Sequence, residues 1–213
     1  MKGLLLKDYY CLKQNVKSLL FVLLIWCIVF LPQNDGGLLL IYLCMMISSM
    51  YIFTLSSYDK HAQWDTYALS MPLTRSKMVL EKYIISLLML IFSAIISAVA
   101  VGTAWLVRHG SLSGEILPAM SGALALGAAM SLVYTSIALT TSLWLGAEKA
   151  RYIPSVLFAA VFFTGLFIAK AGKLKNVTLS SLSEFSILAL CLSLLVFAAS
   201  YMISRSIYNR KEF

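Results

Sequence analysis

Charged residues are scarce in this chain. Only 12% of its 213 residues are charged, 61% are hydrophobic and the mean hydropathy is +0.87, whereas a soluble domain carries about 25% charged residues. The charges cluster and leave uncharged runs of membrane-spanning length. These runs cover residues 18–34, 36–58, 83–107, 116–147, 152–169 and 185–204. The composition excludes a soluble protein and predicts one all-α, polytopic membrane domain over residues 1–213, with six transmembrane helices.

Motifs for catalysis and for cofactor binding are absent as well. No predicted span holds a mid-membrane ionisable residue of the kind that ion-driven carriers and voltage sensors need. The two histidines, His61 and His109, fall in loops predicted on opposite sides of the membrane, and no H-E-x-x-H or G-x-S-x-G occurs. The sequence nearest to a nucleotide-binding loop, residues 165–173, has six residues between its glycines instead of four. We therefore predict no enzyme activity and no catalytic, cofactor or metal site in this chain.

Lysine and arginine are distributed unevenly between the predicted loops. If both termini are cytoplasmic, thirteen basic residues lie inside and four lie outside, namely Arg108, Lys170, Lys173 and Lys175. Cytoplasmic loops of membrane proteins carry such an excess, so the sequence predicts that both termini are cytoplasmic. The net charge of +8 then belongs to the inner loops, and no nucleic acid partner is predicted.

The first eighteen residues separate apolar from basic side chains. On a helical wheel Leu5, Tyr9, Leu12 and Val16 share one face, and the lysines share the opposite arc. This pattern predicts an amphipathic helix at residues 1–18 that lies among the lipid headgroups. The alternative is a frayed basic terminus.

Small residues recur at every fourth position in the fourth predicted span. Ala119, Ala123, Gly127 and Ser131 form this row, and such rows let helix backbones approach closely. We predict that the row packs against another helix, either within the chain or in a second copy.

The longest polar interruption between apolar runs covers residues 58–82. Within it Trp64, Tyr67, Ala68 and Met71 recur at the spacing of one helical face, and Pro72 ends the pattern. We predict a short cytoplasmic helix whose apolar stripe docks on a partner. The alternative is that the stripe lies on the membrane surface or packs against residues 1–18.

Six spans, an interfacial helix before the first and a helix between the second and third resemble the permease subunits of ABC-2 type transporters. Residues 64–82, W-D-T-Y-A-L-S-M-P-L-T-R-S-K-M-V-L-E-K, are similar to the loop pattern of that family. The resemblance is strongest to small bacterial permeases made as separate chains, the group of the phenol-soluble modulin peptide exporter.

The resemblance implies that an ATPase on a separate chain binds ATP and magnesium, and that two permeases assemble with two ATPases. It also implies that the loop helix couples the permease to that ATPase. The coupling residues implied in this loop, with one from the loop at residues 146–151, are Trp64, Asp65, Tyr67, Leu69, Met71, Pro72 and Glu148. For Glu148, the interpretation as a solvated charge at a helix end is equally favoured.

The implied function is export of an amphipathic substrate, a peptide first of all, across the bacterial cytoplasmic membrane. A membrane scaffold or assembly protein that transports nothing is the alternative, and a secondary carrier is a third reading that the absence of membrane charges disfavours. A neighbouring gene for a short ATPase would favour the exporter.

Overall fold

The computed structural model describes residues 2–30, 36–69, 74–109, 116–146, 150, 152–156, 159 and 179–210. The helices in this part of the chain are α1 (Lys2–Phe30), α2 (Gly36–His61), α3 (Trp64–Leu69), α4 (Arg75–His109), α5 (Ile116–Leu145) and α6 (Leu179–Arg210). Residues 152–156 are also helical. No strand occurs among the described residues, so the predicted all-α fold class is confirmed there.

Four helices are long and apolar enough to cross a membrane. The qualifying segments are Leu39–His61, Arg75–Arg108, Leu117–Leu145 and Phe185–Arg210, which coincide with the second, third, fourth and sixth predicted spans. Most of the fifth predicted span lies outside the described residues. The first contains the apolar stretch Leu20–Val29, shorter than the roughly 20 residues that a crossing needs. Six spans therefore remain a prediction, of which four are matched by helices.

Residues 2–18 do not form the separate interfacial helix that the sequence predicts. They belong to α1, which continues without interruption to Phe30. The physical reason is that no glycine or proline occurs between Leu4 and Phe30 to end the helix. The structure therefore has one helix where the sequence predicts an interfacial helix followed by a span, and the position of residues 2–18 relative to the membrane stays a prediction.

α1 packs along α2 and runs in the opposite direction. Lys7, near the start of α1, pairs with Asp59, near the end of α2. Farther along, the Tyr51 hydroxyl donates a hydrogen bond to the Cys11 carbonyl at 3.4 Å. Leu23 then packs against the buried cluster that contains the start of α2. The first turns of α1 therefore pack against α2.

A buried hydroxyl network joins α4, α5 and α6. The Tyr83 hydroxyl lies 2.7 Å from Ser200 Oγ and 2.9 Å from Ser204 Oγ. Thr140 Oγ1 lies 2.8 Å from Ser200 Oγ, which donates to the Ser136 carbonyl at 2.9 Å. Hydroxyl groups between packed helices find few other partners inside an apolar bundle, so this network fixes the three helices against one another.

Tyr83→Phe is expected to lower the free energy of unfolding by about 1 kcal/mol, because it leaves two buried hydroxyls without their shared partner. Thermal unfolding in detergent measures the change. Tyr201→Phe is the matched control, since its ring packs edge-on against Tyr83 at 5.3 Å while its hydroxyl has no part in the network described above. Equal melting temperatures for the two variants would contradict the prediction.

The small-residue row of α5 is mostly buried. Ala123, Gly127 and Ser131 are buried, and Ala119 is partly exposed. Ser49 of α2 donates a hydrogen bond to the Ser131 carbonyl at 3.4 Å. The row therefore lies against a helix of the same chain at this level.

Gly127 lies at a close approach between α5 and α2. A Cβ atom at this position would lie 2.7 Å from Met45 Sδ and 3.5 Å from Tyr42 Cδ1. Met45 also borders an apolar groove of about 450 Å³ whose lining includes Ala94, Ala98 and Leu124. A side chain at this position must therefore displace the Met45 thioether.

Candidate functional site

One end of the bundle collects the start of α1, the end of α2, the start of α4 and the end of α6. Four contacts show this arrangement. They are Lys7 with Asp59, Lys82 with Asp8, Arg75 with the Asn209 carbonyl at 2.8 Å, and Arg205 with Ser76 Oγ at 3.0 Å. We call this the charged end, and α3 lies there because it directly follows α2.

A tight turn joins α2 to α3. The Gln63 amide donates to the Lys60 carbonyl at 3.1 Å, and the Tyr67 amide donates to the Gln63 carbonyl at 3.3 Å. Gln63 has a φ of 48°, in the left-handed region that non-glycine residues seldom adopt. The connection is therefore only two residues, Ala62 and Gln63, and it fixes the direction in which α3 leaves α2.

The apolar stripe predicted on this loop is divided by the fold. Ala68 is fully buried, Trp64 packs partly buried against the core, and Tyr67 is 57% exposed. The Trp64 and Tyr67 rings lie 5.7 Å apart. The stripe is thus not one free docking surface: its Trp64 side packs inward on the chain itself, and its Tyr67 side faces outward.

Trp64 meets the first helix. The Lys7 ammonium lies 4.4 Å from the centre of the Trp64 ring, a distance at which cation–π attraction is effective. The packing of the stripe against residues 1–18, considered as an alternative from the sequence, is therefore present for Trp64.

A cluster of ionisable side chains lies beside Trp64. We call Lys7, Asp8, Asp59, Glu81 and Lys82 the ionic cluster. Lys7 Nζ lies 2.9 Å from Asp8 Oδ1, and Lys82 Nζ lies 3.2 Å from Asp8 Oδ2. Both ammonium groups also pair with Asp59. The cluster therefore connects α1, α2 and α4 at the charged end.

Burial makes these ion pairs strong and costly to disrupt. Asp8 is fully buried and Glu81 is 3% exposed. Attraction between charges rises as the surrounding dielectric constant falls, and removing one member of a buried pair leaves the other uncompensated. Three acidic side chains face two ammonium groups here, and Asp8 and Asp59 each pair with both of those ammonium groups. Asp8 Oδ1, although 2.9 Å from Lys7 Nζ, and Glu81 Oε1 both lack a hydrogen bond of good geometry. Glu81 is therefore the member that the cluster accommodates least well.

The ionic cluster was not predicted from the sequence. The helical wheel places Lys7 on the basic arc of the predicted interfacial helix, and no partner is predicted for Asp59, Glu81 or Lys82. One signal was available: Asp8 is the single acidic residue among the first 34 residues, in a segment otherwise rich in lysine. An isolated acidic side chain in a basic helix indicates a specific partner.

The remaining predicted coupling residues are placed only in part. The backbones of Asp65 and Leu69 lie within α3. Met71, Pro72 and Glu148 lie outside the described residues. Among described residues, no group of acidic, histidine or cysteine side chains could hold a metal ion.

The fold and this site define a multi-pass helical membrane protein with a short helix held at the charged end of its bundle. The family model described as "ABC-2 family transporter protein" matches residues 3–209, and the chain belongs to that family. It is an ABC-2 type permease, a membrane transport component that is not itself catalytic, in a family that normally works with an ATPase partner. No curated protein and no solved structure matches the chain. The family predicted from residues 64–82 is confirmed.

Proposed function

We propose that this chain is the permease of an ABC exporter and that its α3 is the coupling helix for a separately encoded ATPase. The observation that carries the proposal is the Tyr67 side chain, 57% exposed on a helix whose Ala68 is fully buried. An aromatic ring held outward on an anchored helix is typical of an interaction site. The ATPase supplies ATP and magnesium binding, because the chain has no nucleotide-binding motif of its own.

The orientation follows from the charged end. Lys7, Lys60, Lys77, Arg205 and Arg210 all lie on the helix segments that meet there. Basic residues are enriched on the cytoplasmic side of membrane proteins. We therefore place the charged end, α3 and both termini in the cytoplasm of a bacterial cell, where an ATPase can reach them.

The proposed assembly contains two permeases and two ATPases. ATP binding closes the ATPases, and α3 transmits their movement to the spans. ATP must bind the outward-facing arrangement more tightly, because a ligand shifts an equilibrium only by its difference in affinity for the two states. The proposed substrate is amphipathic, a peptide as in the phenol-soluble modulin exporter group, since the described spans are apolar over most of their length.

Tyr67→Ala tests the coupling role. We expect it to weaken binding of the partner ATP-binding cassette ATPase about tenfold, which corresponds to about 1.4 kcal/mol. The reason is that a ring buried in a partner groove loses its contact area. Binding of the purified ATPase to the detergent-solubilised permease, measured over a concentration series, gives the two dissociation constants.

Tyr10→Ala is the matched control for that measurement. Tyr10 is 59% exposed on α1, so its truncation removes a similar exposed ring outside α3. Unchanged affinity in Tyr67→Ala would move the coupling site elsewhere on the permease. Absence of ATPase binding by the native permease would favour the scaffold function instead.

A further inference from the structure

We infer that Lys7 is a positioning residue that ties α3 to α4 through the ionic cluster, so that α1 carries movement of the coupling helix into the bundle. The coupling part of this inference rests on the proposed function. Three links support it: one from α3 to α1, one from α1 to α2, and one from these helices to α4.

The first link joins α3 to α1. The Lys7 ammonium lies over the Trp64 ring at 4.4 Å, and Trp64 is the first residue of α3. A cation held over an indole ring with little surrounding water is attracted more strongly than one in bulk solvent. The start of α3 is therefore held by a residue near the start of α1.

The second link joins the same ammonium to α2. Lys7 Nζ pairs with Asp59 Oδ1 and with Asp8 Oδ1, its own neighbour on α1. Asp59 lies two residues before the end of α2, where α2 turns into α3. One ammonium group thus contacts the residues on both sides of the α2–α3 turn.

The third link reaches α4. Lys82 pairs with both Asp8 and Asp59, so the two aspartates each bridge two ammonium groups. Lys82 directly precedes Tyr83. The Tyr83 hydroxyl lies within hydrogen-bond distance of Ser200 and Ser204 in the network shared with α5 and α6. A displacement of α3 is therefore passed through Lys7 and the aspartates to the helix that contacts the rest of the bundle.

A purely structural cluster would stabilise the fold without holding α3 in place. Measurements on the isolated permease, with no ATPase present, distinguish the structural role from the positioning role. A nitroxide label on Tyr67→Cys, in a background that lacks the four native cysteines, reports the mobility of α3 through its electron paramagnetic resonance spectrum. We expect Lys7→Met to narrow the spectrum because α3 loses its tether. Lys7→Arg should keep the broad spectrum because it retains the cation.

Two further variants make this measurement decisive. Lys13→Met is the matched control, an exposed lysine on the same helix, and should leave the spectrum unchanged. Trp64→Leu cuts the same link from the α3 side while leaving the ionic cluster complete, so it answers the question even where Lys7→Met fails to fold. An unchanged spectrum in folded Trp64→Leu or folded Lys7→Met overturns the inference.

The transmission step is measured in the complex with the ATPase. A fluorescent label on Val107→Cys, an 87% exposed position at the far end of α4, reports movement when ATP and vanadate are added. We expect Lys7→Met to retain ATPase binding, since Tyr67 is intact, and to lose the spectral shift. A shift equal to that of the native complex overturns transmission through Lys7. Failure of the native permease to bind the ATPase overturns the proposed function, while the mobility measurement still decides whether Lys7 holds α3.

Discussion

Lys82→Met is expected to lower the free energy of unfolding by about 3–5 kcal/mol. Lys82 pairs with Asp8 and Asp59, and Asp8 is fully buried. Without Lys82, three carboxylates of the ionic cluster share one ammonium group, that of Lys7. Equilibrium unfolding in detergent, followed by the loss of helical signal with added denaturant, measures the difference.

Two variants on the same helix test whether the effect belongs to the buried ion pairs. Lys77→Met removes an exposed lysine of α4 and should change the free energy of unfolding by less than about 0.5 kcal/mol. Glu81→Gln removes the carboxylate in excess, whose Oε1 has no hydrogen-bond partner, and should leave the permease at least as stable as the native chain. Similar losses in Lys77→Met and Lys82→Met would contradict the account of the cluster.

Gly127→Leu is expected to lower the free energy of unfolding by about 3 kcal/mol, at the upper end of the usual cost of overpacking. The Cβ atom alone would lie 2.7 Å from Met45 Sδ and 3.5 Å from Tyr42 Cδ1, so a leucine side chain must displace Met45 or push α5 away from α2. The melting temperature of the purified permease reports the change.

The chain offers a matched control on the same helix. A Cβ atom at Gly122 meets no atom within 4 Å, so Gly122→Leu should melt close to the native protein. Met45→Ala, combined with Gly127→Leu, should restore part of the lost stability because it removes the thioether that the new side chain strikes. A native melting temperature in Gly127→Leu would show that the helices do not approach as described.

Hydropathy predicts the spans well because an apolar helix of sufficient length has few alternatives to the membrane. Four predicted spans coincide with described helices for this reason. The sequence assigns the lysines near the start of α1 to the headgroups and indicates no protein partner for them. Lys7 instead meets Asp59, 52 positions away in the sequence, and Lys82 meets Asp8, 74 positions away. No local pattern indicates partners so distant, because the fold alone brings them together.

The candidate site, like the spans, is predicted from the sequence only in part. The spacing of Trp64, Tyr67 and Ala68 predicts a helix, and α3 begins at Trp64. Periodicity does not say which side of so short a helix is covered by its own chain. In the fold, Lys7 and the apolar core both contact Trp64, whereas Tyr67 faces outward. The sequence therefore predicts the helix and its family, whereas the division of its surface requires the packing of α1.

The two-residue connection between α2 and α3 has a mechanical consequence. At about 1.5 Å per residue, α2 extends roughly 35 Å from Asp59 to Gly36, and α3 is roughly 9 Å long. Joined without slack at Gln63 and held near Asp59 by the ionic cluster, the two helices form a lever of unequal arms. Each ångström of displacement at the short arm becomes about 4 Å at Gly36 when the pair pivots as a rigid unit. In the proposed exporter, such a pivot of α2 and α3 would enlarge a small movement of α3 at the far end of α2, where Leu40 and Ile41 pack in the core.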